Sequence, residues 1–294
     1  MTNVIVSGLL SPKLQTASVL YNPCSLIGIH LPGSETLNET KAMRVRKGVE
    51  VAGLSDVGCQ RANNEDSYAY WEPDDDSDYQ RKGRLAIVAD GMGGHEGGQE
   101  ASSLAVRTMQ EVYADSHGGD IKSLLMAAFQ AAHDAIRKYA VQHPELRGMG
   151  TTATAIVLLS GDLYYAHVGD SRLYVVRDAK VSRLTHDHSY VTRLVDSGLI
   201  TEEEAENHPQ RHILTSALGV GPEFSPDMSD QPIELEAGDV LVLCTDGLWG
   251  VVTDSEIAQA VTTKSASEAC RALVDLAKEH GGPDNITLQV LRIH

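Results

Sequence analysis

A chain of 294 residues that is 42% hydrophobic can fill a large core, but with two Trp and two Phe its packing must rest on aliphatic side chains. The 24 Lys and Arg against 41 Asp and Glu give a formal charge of 24 − 41 = −17, a surface that repels a phosphate backbone and argues against nucleic acid as a partner. Cys24, Cys59, Cys244 and Cys270 are too scattered for a zinc-thiolate pattern and suit reduced thiols in a cytoplasmic setting; no apolar run is long enough to cross a bilayer, so no membrane partner is expected.

Residues 1–45 scatter Ser, Thr, Pro and Gly without periodicity and read as a tail of uncertain order before a folded domain of residues 46–294. Residues 49–54 alternate as a strand, and Ser67-Tyr-Ala-Tyr70 follows the polar run Asn63-Asn-Glu-Asp66. Asp74-Asp-Asp-Ser-Asp78 lacks the glycine and closing glutamate of a calcium loop and reads as a solvated turn. Residues 85–89 form a short apolar run expected to be a buried strand. Helices are predicted over 99–113 and 120–141, the second with Asp120 as its cap and Leu125, Phe129, Ala132 and Ile136 at helical spacing. Strands at 152–159, 162–168 and 172–177 are joined by turns too short for parallel crossovers. A polar, partly helical stretch covers 187–232. The chain closes with a strand at 240–244, helices at 254–261 and 267–280, and a strand at 286–293. This order predicts antiparallel sheets packed together with helices outside.

The informative pattern lies at the strand ends. Asp90-Gly91 follows Ile87-Val-Ala89, Gly169-Asp170 follows Tyr165-Ala-His-Val168, Asp246-Gly247 follows Leu241-Val-Leu-Cys-Thr245, and Asp284-Asn285 precedes the last strand. One Asp-Gly at a strand end means only a turn. Several, each abutting an apolar strand, point to carboxylates gathered at one sheet edge, where crowding of hard oxygen donors calls for divalent cations. Gly91, without a side chain, would let its backbone carbonyl approach such a cation. The glycine loop from Asp90 to Gly98 matches neither a phosphate-loop nor a dinucleotide fingerprint, which disfavours nucleotide binding.

Taken in order, Arg61-Ala-Asn-Asn-Glu-Asp-Ser67, Val88-Ala-Asp-Gly-Met-Gly-Gly-His95, Gly150-Thr-Thr152, Gly169-Asp-Ser-Arg172, Leu184-Thr-His-Asp-His-Ser189, Cys244-Thr-Asp-Gly-Leu248 and Gly282-Pro-Asp-Asn-Ile-Thr287 resemble the metal-dependent phosphatases of the protein phosphatase 2C type in their compact bacterial form. The resemblance spans roughly residues 49–293 and implies an α+β fold: a four-layer α-β-β-α sandwich of two packed antiparallel sheets flanked by helices. It implies hydrolysis of phosphoserine and phosphothreonine on proteins by a metal-activated water, opposing bacterial Ser/Thr kinases. Asp90 would bridge two cations, with Gly91 adding its carbonyl. Asp246 and Asp284 would be terminal ligands. Asp66, with Glu65 beside it, would orient metal-held waters, and Asp170 with Asp246 would match a third, weaker site. Arg61 stands where the family binds phosphate. Asp90 and Asp246 carry the catalysis in this reading.

Oxygen-only ligation points to Mn2+ or Mg2+ as the cofactor, two bound tightly and a third more weakly. The expected partners are phosphorylated proteins, those of a Ser/Thr kinase, with the phosphatase itself a cytoplasmic monomer. The resemblance departs at Met92, where eukaryotic members often carry a histidine; a metal-held water is then the expected proton source, with His95 three residues further on as the alternative. Residues 187–232 correspond to the family's variable flap, and His208 and His212 within it are expected to meet substrate. His186-Asp-His188 reads as a turn that caps the helix starting near Ser189. Ser171 lacks the partners of a nucleophilic triad, and Arg172 is expected to serve local structure. A non-catalytic scaffold is disfavoured because Asp90, Asp246 and Asp284 are all present.

Overall fold

A strand that is apolar at every position needs cover on both faces, and the layers of this fold supply it. The computed structural model describes residues 46–93, 96–222 and 224–294, all within one compact unit; the expectations for residues 1–45 and for His95 lie outside the described residues. In chain order the elements are β1 (Val49–Asp56), β2 (Asp66–Trp71), α1 (Asp76–Lys82), β3 (Arg84–Met92), α2 (Glu96–Asp115) and α3 (Ile121–Gln142). Next come β4 (Gly150–Thr151), β5 (Ala153–Leu159), β6 (Asp162–Val168), β7 (Arg172–Arg177) and β8 (Lys180–Arg183). The flap region holds α4 (Tyr190–Asp196), α5 (Glu202–Glu206) and β9 (Asp227–Met228). The chain ends with β10 (Ile233–Glu234), β11 (Val240–Cys244), α6 (Asp246–Trp249), α7 (Asp254–Thr263), α8 (Ala266–Glu279) and β12 (Ile286–Ile293).

One sheet runs β1-β12-β11-β7-β8 and the other β10-β6-β5-β3-β2, with β4 paired to β3 and β9 to β6. Neighbours pair antiparallel throughout both. The two-residue period of a strand then sorts the side chains. Along β11, Val240, Val242 and Cys244 pack with residues of α7 and α8 such as Ile257 and Leu273, while Leu241 and Leu243 join the core between the sheets. Along β3, Leu85, Ile87 and Ala89 pack with Met109 and Phe129 of α2 and α3, and Ala86 and Val88 turn to the inter-sheet core. The result is the expected four-layer α-β-β-α sandwich. Gln289, fully buried on β12, ties the sheets together: its Nε2 donates to the carbonyls of Ile87 at 2.7 Å and Ala69 at 3.2 Å.

Three local features differ from the sequence reading. The acidic run at 74–78 is a helix start, not only a turn: Asp75 accepts from the backbone N–H groups of Ser77 and Asp78 and opens α1. Asp246-Gly247 begins the single turn of α6. The β7–β8 hairpin turns on Asp178 and Ala179, both at positive φ (51° and 60°), without the Asn-Gly signature that would have announced it.

Candidate functional site

Antiparallel pairing decides which strand ends share an edge. In one sheet β1 and β11 end where β12 and β7 begin; in the other β3 and β6 end where β2 and β5 begin. Asp66 and Asp90 are direct register partners across β2 and β3, an arrangement that destabilises a sheet unless something relieves the like charges. Cys244 pairs with Arg172, so two residues beyond each lie Asp246 and Asp170; Cys244 also pairs with Leu288, which brings Asp284 to the same edge. The two sheets meet there. Thr245 Oγ1 donates to Asp66 Oδ2 at 2.8 Å across the sandwich.

The carboxylates assemble as neighbours. Asp66, Asp246, Asp170 and Asp284 all lie near enough to Asp90 for their charge to act on it. Arg61, half-exposed at the rim, donates from Nη2 to Asp284 Oδ2 at 2.6 Å. His212 of the flap brings Nδ1 to 3.9 Å from Asp246 Oδ2. Gly91 is held by close approach: a Cβ there would lie 2.0 Å from the Gly98 carbonyl and 2.6 Å from that of Glu65. One built on Gly98 would meet the Glu65 carboxylate at 1.9 Å, so this pair of glycines lets α2 press against the end of β3.

Burial and mutual repulsion act in the same direction here. Asp90 is pushed well above the ordinary carboxylate range, first by burial and then by Asp66, Asp246, Asp170 and Asp284. Asp170 moves the same way through burial, Asp246 and Asp187. Asp66 is pushed up to about 7, mainly by burial, with Thr hydroxyls partly offsetting the rise. Asp246 is raised by burial and Asp284, against the pull of His212, Asp90 and Arg61. Asp66 Oδ1 and Asp246 Oδ1 are buried with no hydrogen-bond donor against them. Among the described residues no three His, Cys, Asp or Glu side chains close around one point. Orphaned oxygen atoms, an oxygen-only donor set and acids whose charged forms burial and their neighbours disfavour all fit a site for hard divalent cations.

The sequence reading missed the frame that holds these acids. Thr152 Oγ1 accepts from the Asp90 N–H at 2.9 Å and lies 2.7 Å from Ser171 Oγ; Thr151 Oγ1 donates to the Asp90 carbonyl at 2.8 Å. Asn285 Oδ1 accepts from the Glu65 N–H at 2.8 Å, while its Nδ2 donates to the carbonyls of Val57 and Asn63 at 3.0 and 2.9 Å. Small polar residues flanking each aspartate were the available signal. α4 starts next to Ser189 as expected, but Ser189 itself caps it, accepting the Thr192 N–H, and not the His186-Asp-His188 turn. His186 and His188 pair instead with Asp196 and Asp227 at 2.9 and 3.1 Å.

Comparison with known proteins places this arrangement. The sequence profile described as protein phosphatase 2C matches residues 60–280. The serine/threonine protein phosphatase PstP of Mycobacterium tuberculosis is 41% identical over 248 residues, covering 84% of this chain and 45% of the mycobacterial protein, so the chain spans less than half of that relative's length. The protein phosphatase PhpP of Streptococcus pneumoniae is 35% identical over 251 residues, covering 84% of this chain and 98% of its own. The crystal structure of the PstP catalytic domain in complex with two manganese ions superposes with a TM-score of 0.72 at 38% identity, over 84% of this chain and 98% of that one. No helix among the described residues is long and apolar enough to cross a membrane. The chain belongs to the protein phosphatase 2C family.

Proposed function

We propose that the protein hydrolyses phosphoserine and phosphothreonine esters on other proteins with two divalent cations held by Asp90, Asp246, Asp284 and the Gly91 carbonyl. Asp66 would orient the water around them, and Asp170 with Asp246 would take a third cation more weakly. The observation that carries the reading is the meeting of Asp66, Asp90, Asp170, Asp246 and Asp284 at one edge of both sheets, where burial and neighbouring charge push the first four above the ordinary carboxylate range. The chemistry such cations supply when bound is acidification of a water and withdrawal of charge from the phosphoryl oxygens.

The chain's own residues do the rest. Asp90 and Asp246 would hold the cations as carboxylates, so any proton on either would have to leave when a cation binds. Arg61 has donors enough to hold Asp284 with one edge and take two phosphate oxygens with the other, a planar fork that lysine lacks. Met92 has no proton to give the leaving alkoxide, so water delivers it. His212, beside Asp246 on the flap, meets the substrate chain next to the phosphate. A monomer is the proposed working unit. Manganese and magnesium both suit the donors, and phosphoproteins made by a Ser/Thr kinase in the cytoplasm are the proposed substrates.

The test is phosphate release from a phosphothreonine peptide and from an aryl phosphate, with Mn2+ and with chelator. Turnover that requires Mn2+ and disappears in Asp246→Asn is expected. Full turnover in chelator, or none under any metal, overturns the reading.

A further inference from the structure

Trp249 closes the turn of α6 that Asp246 opens, and its indole reaches back across the strand ends: Nε1 donates to the Asp170 carbonyl at 2.9 Å. One four-residue turn therefore fixes two acids from different strands. Arg172 lies over that indole, its guanidinium carbon 3.5 Å from the ring centroid. Each of its three nitrogens also donates: Nε and Nη2 fork onto Asp187 at 3.1 and 2.6 Å, and Nη1 donates to the Tyr174 hydroxyl at 3.1 Å. Asp187 is the buried first residue of the flap. The next residue, His188, donates its N–H to the Gly169 carbonyl at 2.7 Å and accepts the Gly169 N–H on Nδ1 at 3.3 Å. Asp170 is thus gripped from both sides, its carbonyl by Trp249 and its preceding peptide by the flap root.

We propose that Trp249 and Arg172 are positioning residues that act as one strut, setting Asp170 against Asp246 and locking the root of the flap to both. This rests on Asp170 as the ligand of the weaker cation. Neither side chain touches a reacting atom in this account. A core role alone would be met by apolar packing, whereas here the indole N–H and the planar guanidinium are each engaged in a specific contact. Phenylalanine keeps the stack and loses the N–H. Lysine keeps the charge and loses the stack and the fork.

The test uses the full chain, freed of metal, in a calorimetric Mn2+ titration together with hydrogen exchange at the Gly169 and His188 amides. Trp249→Phe is expected to weaken the weakest Mn2+ equivalent about tenfold, as loss of a group that orients a ligand does, and to leave the tighter pair unchanged. Exchange at His188 should quicken while β11 and β12 stay protected. Arg172→Lys should move both readouts the same way, and Asp170→Asn should abolish the weak equivalent. Unaltered weak binding and exchange in Trp249→Phe, with Asp170→Asn still effective, overturns the strut and spares the ligand reading. Wild-type cation binding in Asp170→Asn overturns the ligand reading, and the exchange data then decide the strut by themselves. Equal weakening at every site with a lowered Tm would mark Trp249 as ordinary core and overturn the proposal.

Discussion

The two ends of the same strands treat buried acids in opposite ways. At the far end, Glu72 after β2 receives Arg84 Nε at 3.1 Å, and Asp239 before β11 is forked by Arg177 at 2.7 and 2.6 Å. Tyr79 lies beneath both Arg46 and Arg84, 4.6 and 5.0 Å from their guanidinium carbons. Glu72 and Asp239 each have a matched base. At the near end of β2, β3, β7 and β11 stand Asp66, Asp90, Asp170 and Asp246, with two buried oxygen atoms that no donor reaches. A fold that pairs its acids so fully at one pole and leaves them crowded at the other stores instability where cations are to bind.

The sharpest way to break the comparison is to neutralise one acid at each pole. Asp246→Asn is expected to cut Mn2+-dependent phosphopeptide turnover about a thousandfold, equal to about 4 kcal/mol of transition-state stabilisation. The same variant in chelator should melt higher than wild type, because a buried repulsion has gone. Asp239→Asn should do the reverse: turnover intact at moderate temperature, and stability to denaturant lowered, because the Arg177 guanidinium loses the buried acid that it forks.

The arginines separate the poles more finely. Arg61→Lys should lower kcat/KM on a phosphopeptide about tenfold, since a point charge replaces a fork that also holds Asp284. Arg84→Lys, equally well paired but remote, should leave kcat/KM unchanged.

The smallest effect is in the pH dependence, where the poles differ in sign. Asp66, pushed up to about 7 chiefly by burial, keeps in the folded state a proton that the unfolded chain releases near its ordinary value of about 3.9. That contribution is fully present below the unfolded value and is lost as pH rises through about 7. The chelated protein should therefore lose roughly 1 kcal/mol from this acid between pH 6 and pH 8, a loss that Asp66→Asn removes. At Asp239 burial raises the pKa, but the Arg177 hydrogen bond and the Glu236 N–H outweigh it and hold the acid below its ordinary value. Its contribution is present above the unfolded value and lost as pH falls through the folded one, so Asp239→Asn should flatten the acid limb instead.

The near pole was legible in the sequence because its residues announce themselves: Asp90, Asp170, Asp246 and Asp284 each sit at the end of an apolar run long enough to be a strand. Strand boundaries at β6, β7, β11 and β12 follow from the same runs, as does the Asp120 cap of α3. The far pole was not legible. Arg84, Arg177 and Asp239 pair over sequence distances that only the sheet order defines, and a single charged residue beside a strand carries no local signal. The threonine and asparagine frame stayed hidden for a related reason. Thr151, Thr152 and Asn285 act through hydrogen bonds to the backbone of distant segments, so their chemistry is set by tertiary contact and not by spacing. The β8 hairpin and α1 were lost because Asp178-Ala179 and the acidic run at 74–78 depart from the usual turn and helix compositions.

The claim beneath all of this is that the near-pole acids are kept together, protonated and under-satisfied, for divalent cations. A calorimetric Mn2+ titration of the chelated full chain at neutral pH, run in two buffers of different ionisation heat, measures binding and proton release together. The account predicts saturable binding that releases protons from the site, both lost in Asp90→Asn. Heats that show no binding, or binding with proton release that Asp90→Asn leaves intact, would contradict it.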